Sequence, residues 1–156
     1  MAGLRVPLVA ALVVSVALLA LAACGGDDDG SMRATLTDEG CTYEGDKTPP
    51  AGMFTIDVEN QTDFFGAFAV ASLAGSTTVE DDLRPYLEQA QQTFEETGNL
   101  PDIPAYYEQV ARGAAQAGES TFLDLHLEPG RYALVCFVDD LPRWQAHAAA
   151  QLDVGG

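Results

Sequence analysis

The apolar residues of this chain fall into patterns of different period. From Leu8 to Ala23 small and aliphatic side chains run without interruption, and Arg5 is the one charge before them. The run is shorter than the ~20 residues that a helix needs to cross the hydrocarbon core. A basic start followed by a short apolar stretch is the layout of a removable export signal, here residues 1–23. From Met53 to Asn60 the period is two, with Phe54, Ile56 and Val58 on one face and Thr55, Asp57 and Glu59 on the other. This alternation predicts a half-buried strand, bounded by Pro49-Pro50-Ala51-Gly52 and Asn60-Gln61-Thr62-Asp63 as turns. Phe64 to Leu73 sets Phe65, Ala67, Ala69, Ala71 and Leu73 against Phe68 and Val70, so it predicts a strand apolar on both faces.

From Ser76 the period lengthens. Thr77-Thr78-Val79-Glu80 offers a capping box, and Leu83, Leu87, Ala90 and Phe94 recur at helical spacing up to Gly98-Asn99. Pro85 lies inside this stretch, which places the helix start near Arg84, after a separate capped turn. A second short helix is expected over Pro104 to Arg112, with Tyr107, Val110 and Ala111 inward, and a loop over Gly113 to Gly118. Strand periodicity returns with Thr121, Leu123, Leu125 and Leu127, and Glu128-Pro129-Gly130 turns the chain into the β-prone run Arg131 to Val138. Asp139 to Trp144 is expected as a loop, and Ala146 to Val154 as a closing strand with Ala148, Ala150, Leu152 and Val154 on one face. With a first strand at Arg33 to Thr37, about six strands surround one helical insertion. The fold class is mainly β, a small antiparallel β-sandwich.

Composition sharpens this division. The 156 residues carry 7 Lys+Arg and 24 Asp+Glu, a formal charge of −17, yet mean hydropathy is +0.04. Residues 1–23 hold one of the seven basic residues and none of the acids. Most of the apolar surplus therefore belongs to the export signal, and the rest of the chain is more acidic than the whole. That charge disfavours a nucleic-acid partner and a polybasic membrane patch.

Leu21-Ala22-Ala23-Cys24 directly after the apolar run resembles the lipobox of bacterial lipoproteins. The resemblance implies cleavage before Cys24, acylation of its thiol and amino terminus (diacylglyceryl and palmitate-type chains), and a bilayer partner on the extracytoplasmic face of the cell membrane. More than one acyl chain makes such anchoring stable. Gly25-Gly26-Asp27-Asp28-Asp29-Gly30-Ser31 has no apolar side chain to bury and reads as a flexible acidic tether, giving a tether over 24–31 and a folded domain over 32–154. With Cys24 assigned to lipid, Cys41 and Cys136 remain. An even remainder outside the cytoplasm favours one disulfide between them; a reactive or metal-binding Cys136 is the alternative, although no CxxC motif or basic neighbour lowers either thiol's pKa.

Three further segments together resemble the cupredoxin-like, Greek-key domains of bacterial lipoproteins: Cys41-Thr42-Tyr43-Glu44-Gly45 leading through Pro50-Ala51-Gly52 to the strand ending at Asn60; Pro129-Gly130-Arg131-Tyr132-Ala133-Leu134-Val135-Cys136-Phe137; and the closing strand after His147. In a copper-loaded member the metal is held by two imidazoles, a thiolate and usually a methionine, a donor set suited to copper. Here Phe64, Phe65, Gly66, Ala67 and Phe68 stand where the first His is expected, His147 is the one imidazole after Cys136, and no Met follows it. The resemblance thus carries the fold and no metal residue. An immunoglobulin-like sandwich is the structural alternative, and a copper carrier or electron-transfer protein using Cys136 with His147 or His126 is the functional one. Ser72, Ser76 and Ser120 occupy no nucleophile elbow, and no phosphate loop or zinc spacing occurs. The sequence therefore points away from catalysis and cofactors, toward a binding or interaction module whose protein or small-molecule partner no motif names. Trp144 reads equally as a recognition residue or as a cover for one end of the sandwich.

Overall fold

The computed structural model describes residues 31–140 and 143–156. The export signal, Cys24 and the tether up to Gly30 lie outside the described residues. In chain order the strands are β1 (Met32–Thr37), β2 (Gly40–Glu44), β3 (Gly52–Asn60), β4 (Gly66–Leu73), β5 (Tyr107–Ala115), β6 (Ser120–Leu127), β7 (Gly130–Asp140) and β8 (Arg143–Val154), with one helix, α1 (Arg84–Thr97), between β4 and β5. They form two four-stranded sheets, ordered β2-β1-β3-β6 and β5-β4-β7-β8. The chain crosses between sheets at β3–β4, β5–β6 and β6–β7, as Greek-key connections do. The sandwich is mainly β, as expected. It is not wholly antiparallel, since β1 runs parallel to β3, with Met32 opposite Ile56 and Leu36 opposite Asn60.

Two apolar layers result. The first fills the space between the sheets, where Leu36, Ile56, Val58 and Leu125 meet Phe68, Leu134, Cys136 and Leu152. The second lies outside the β5-β4-β7-β8 sheet, where Leu83 and Leu87 pack on Ala133, Val135, Ala146 and Ala148. β4 and β7 are therefore covered on both faces, which explains why Ala67 to Ala71 and Ala133 to Cys136 are fully buried without alternating.

The helix begins as its residues dictate. Thr78, in extended conformation, accepts the Asp81 N–H on its hydroxyl at 3.0 Å and donates its own N–H to the Asp82 carboxylate at 2.9 Å. The box is thus built one residue later than the sequence suggests. A wide π-type turn, Val79–Leu83, precedes α1, and Pro85 sits in the first turn of α1, where no N–H is required. Gly98 ends the helix at φ 70°, a left-handed conformation that glycine adopts without a Cβ clash, and donates its N–H to the Phe94 carbonyl at 2.7 Å.

Three local expectations are corrected. Pro104 to Arg112 is not a helix: Tyr107 onward forms β5, paired along its length with β4 and extending to Ala115 into the expected loop. Pairing with an existing sheet edge outweighs the short helical spacing of Tyr107 and Val110. Within the expected loop at Asp139 to Trp144 the described residues are strand, with Asp139 opposite Trp144 and Asp140 opposite Arg143. Lastly, β8 does not present one face throughout. Its ladder pairs Leu134 with Ala150 and Val135 with Ala148, leaving Ala149 as a bulge. Ala150, Leu152 and Val154 consequently face the space between the sheets, and Ala146 and Ala148 face the helix.

Candidate functional site

The helix-side face of the second sheet is only partly covered by α1, and the gap over β5 is a cavity of about 290 Å³. Sequence accounts for the gap. Ala69 and Ala71 put little bulk on the helix side of β4 and are fully buried there, so taller neighbours form the walls. Leu83, Tyr86, Leu87 and Phe94 contribute from the helix side, Phe137 from β7 and Trp144 from β8. Trp144 is held in a tilted aromatic cluster, its ring 6.0 Å from that of Phe94 and 6.2 Å from that of Phe137.

The third wall is β5, and a bulge shapes it. Gln109 pairs with Ala71 and Ala111 with Val70, so Val110 is the extra residue. Beyond it Ala111 packs against the core between the sheets, and Arg112, opposite Ala69, returns to the face that Tyr107 and Gln109 occupy. Strict alternation from Tyr107 would have put Ala111 there instead. Tyr107, Gln109 and Arg112 thus share one face of one strand.

The segment between α1 and β5 closes the cavity from outside with Leu100, Pro101 and Ile103. Leu100 and Ile103 are 49% and 70% exposed, high values for aliphatic side chains at a cavity mouth. Two tyrosines brace this segment: the Tyr86 hydroxyl donates to the Asp102 carbonyl at 3.3 Å, and the Tyr106 hydroxyl to the Asp82 carbonyl at 3.2 Å. Burial raises both phenols above their ordinary pKa, as do their tyrosine and aspartate neighbours. Tyr107 is pushed up to about 12, by burial first and by Tyr86 second, so it remains a proton donor at any physiological pH.

Of the residues singled out in the sequence, Cys41 and Cys136 are joined as a disulfide, Cα to Cα 6.0 Å, across a sequence separation of 95. Cys136 is fully buried and Cys41 partly exposed. His147 stands opposite Cys136 in the β7–β8 ladder. It is half-buried, and burial first and the Arg84 charge second hold its imidazole below the usual value. His126 is elsewhere, on the exposed face of β6, with Nε2 3.2 Å from a Glu128 carboxylate oxygen. The structure therefore brings Cys41, Cys136 and His147 together and leaves His126 apart. Among the described residues no group of three or more His, Cys, Asp or Glu side chains is arranged to hold a metal ion. Near Cys136 the sulfur is bonded to Cys41, Phe64 holds the Arg143 guanidinium over its ring at 4.4 Å, and Met53 lies exposed on β3. Ser72 donates to the Glu108 carbonyl at 3.4 Å, so it serves the β4–β5 edge. Trp144, open to two readings in the sequence, is a cavity wall. Sequence reasoning missed Tyr107, Gln109 and Arg112 as one face because their segment was read as helix; the alanine stripe of β4 was the available sign that something bulky packs over it.

No family model matches the chain, and no curated protein does. Two solved structures are similar to it at low identity. One is dithionite-reduced auracyanin from the photosynthetic bacterium Roseiflexus castenholzii, 16% identical, covering 76% of this chain and 94% of that one, with a TM-score of 0.38. The other is auracyanin B in space group P65, 16% identical, covering 77% of this chain and 88% of that one, with a TM-score of 0.40.

Proposed function

We propose that this chain is a lipid-anchored extracytoplasmic protein whose domain, residues 32–154 on a cupredoxin-like scaffold, binds a small apolar ligand, catalyses no reaction and carries no type 1 copper. The observation that carries the reading is the composition of the cavity wall: among the described residues that line it there is no carboxylate, histidine, serine or cysteine. A concave, mostly apolar site with a few converging polar groups has the ordinary make-up of a ligand pocket, and among the described lining residues no nucleophile stands beside a base. The bond between Cys41 and Cys136 supports the copper-free part of the reading, because a thiolate is needed for the metal. Anchoring is supported by Leu21-Ala22-Ala23-Cys24 and the polar tether after it.

Each part has its test. The single tryptophan of the chain stands in the cavity wall, so titrating the full chain with 1-methylnaphthalene should shift the Trp144 indole N–H resonance saturably. No shift up to the solubility of the probe overturns the ligand-site reading. Copper titration of the oxidised chain should give no intense thiolate-to-copper band. Cys24→Ala should move the protein out of the membrane fraction, and unchanged retention would count against the anchor.

A further inference from the structure

The chain has five tyrosines, and the fold uses the hydroxyls of four. Tyr43 donates to the Asp46 carbonyl at 2.9 Å, Tyr132 to the Glu128 carbonyl at 3.0 Å, Tyr106 to the Asp82 carbonyl at 3.2 Å and Tyr86 to the Asp102 carbonyl at 3.3 Å. Tyr107 is the exception: among the described residues none accepts from its hydroxyl. Its surroundings nevertheless push the phenol up to about 12, burial being the larger cause, and a donor withdrawn from water without a partner costs free energy. The hydroxyl is not sealed inside the protein, since among the described residues no fully buried side-chain polar atom lacks a partner. It is a reachable donor on a side chain that lines the cavity.

The strand register places this donor at one end of the site. Tyr107 stands opposite Leu73 in the β4–β5 ladder, whereas Phe137 stands opposite Ala67 in the β4–β7 ladder. From Ala67 to Leu73 the strand covers about 20 Å, and the ring cluster of Phe94, Trp144 and Phe137 marks the far end. Arg112, opposite Ala69 and so between the two, already has a partner, and no charge is assigned to the ligand from it. We propose, resting on the reading of the cavity as a ligand site, that its ligand is an elongated apolar molecule with one hydrogen-bond acceptor of the carbonyl type, which takes up the Tyr107 hydroxyl while the apolar body runs along β4 toward Trp144. A phenol donates better than it accepts, and a carbonyl oxygen is the group that the other four tyrosines serve. The faces and edges of the tilted ring cluster suit a flat body.

Two probes of one shape test this: 4-acetylbiphenyl and its hydrocarbon isostere 4-isopropenylbiphenyl, in which a methylene replaces the carbonyl oxygen. Each is titrated into the full chain, wild type and Tyr107→Phe, and read at the Trp144 indole resonance. The ratio of the two affinities is the quantity compared, because it cancels the greater hydrophobicity of the isostere and any general effect of the substitution. In Tyr107→Phe the ketone should lose about three- to tenfold relative to the isostere, the worth of one neutral hydrogen bond. A ratio that Tyr107→Phe leaves unchanged overturns the acceptor assignment while the ligand site stands. The variant keeps the ring and removes a hydroxyl that the fold does not use, so its unfolding midpoint should not move; a lowered midpoint shows that the hydroxyl serves the fold and overturns the assignment as well. If neither biphenyl binds but 1-methylnaphthalene does, the elongated ligand is wrong, and if all three fail the ligand site itself falls.

Discussion

Cys136 and His147 stand opposite each other across the β7–β8 ladder, and the sulfur of Cys136 is committed to Cys41. Sulfur and imidazole are therefore neighbours without forming a thiolate–imidazole pair. The bond ties β2, at the edge of one sheet, to β7, central in the other, and closes a long loop of chain. Replacing both cysteines, as Cys41→Ala with Cys136→Ala, is expected to lower stability by about 2–5 kcal/mol, chiefly by releasing the unfolded chain. Urea unfolding measures this. A companion titration of the oxidised Cys24→Ala chain should find no reactive thiol, and two would refute the bond.

His147 also sets a pH dependence. Its pKa is lowered in the fold, by burial and then by Arg84, so the unfolded chain binds a proton there more readily than the native one. Stability tied to this group is present above the ordinary imidazole pKa of about 6.5, and it falls as pH drops from there toward the lowered native value. His147→Asn should remove that part of the slope. The informative quantity is the difference in Tm between wild type and variant from pH 7.5 to 5, because the many carboxylates titrate in both. A difference that does not vary with pH contradicts the burial of the imidazole.

Asn60 and Gly66 form a second junction, at the β3–β4 connection. The Asn60 amide is fully buried and donates to the carbonyls of Phe64, Ala115 and Gln116 at 2.7, 3.1 and 3.1 Å, while its oxygen accepts from the Thr62 N–H and hydroxyl. It joins the β3–β4 loop to the end of β5. A Cβ on Gly66 would lie 2.9 Å from both Asn60 and the Leu36 side chain. Gly66→Ala should therefore cost about 1–3 kcal/mol through overpacking. Asn60→Leu should cost at least as much, because it leaves buried carbonyls without donors. Thermal unfolding checks both, and a Gly66→Ala protein as stable as wild type would refute the close approach.

The sequence disclosed the parts of this molecule whose pattern is local. Ile56 and Val58, or Leu123, Leu125 and Leu127, alternate because one face of a strand is buried and the other wet, and that is visible in order along the chain. The helix showed itself through Pro85, its apolar spacing and Gly98. What stayed hidden depends on partners distant in sequence. Tyr107 to Arg112 is a strand because β4 offers it an edge, and no nearby residue announces that edge. The two bulges, at Val110 and Ala149, shift which side chains share a face, and a reading by strict alternation cannot register them. The cavity is built largely from these non-local features. Cys41 and Cys136 could be counted and paired along the chain, but the cavity wall could not be assembled there.

The segment joining α1 to β5 should open separately from the sandwich. It is held by the phenol of Tyr86 on the Asp102 carbonyl and that of Tyr106 on the Asp82 carbonyl, and it exposes Leu100 and Ile103 to solvent. Such contacts are each worth about 0.5–1.5 kcal/mol, enough to set a local equilibrium and small beside a whole domain. Tyr86→Phe with Tyr106→Phe keeps the rings and removes the two donors. Amide exchange around residues 99–106 should then accelerate roughly tenfold, while strands β4 and β7, buried on both faces, keep their protection and the global unfolding midpoint moves little. Equal acceleration in β7 would mean that the braces support the whole fold, and unchanged exchange over 99–106 would mean that they hold nothing.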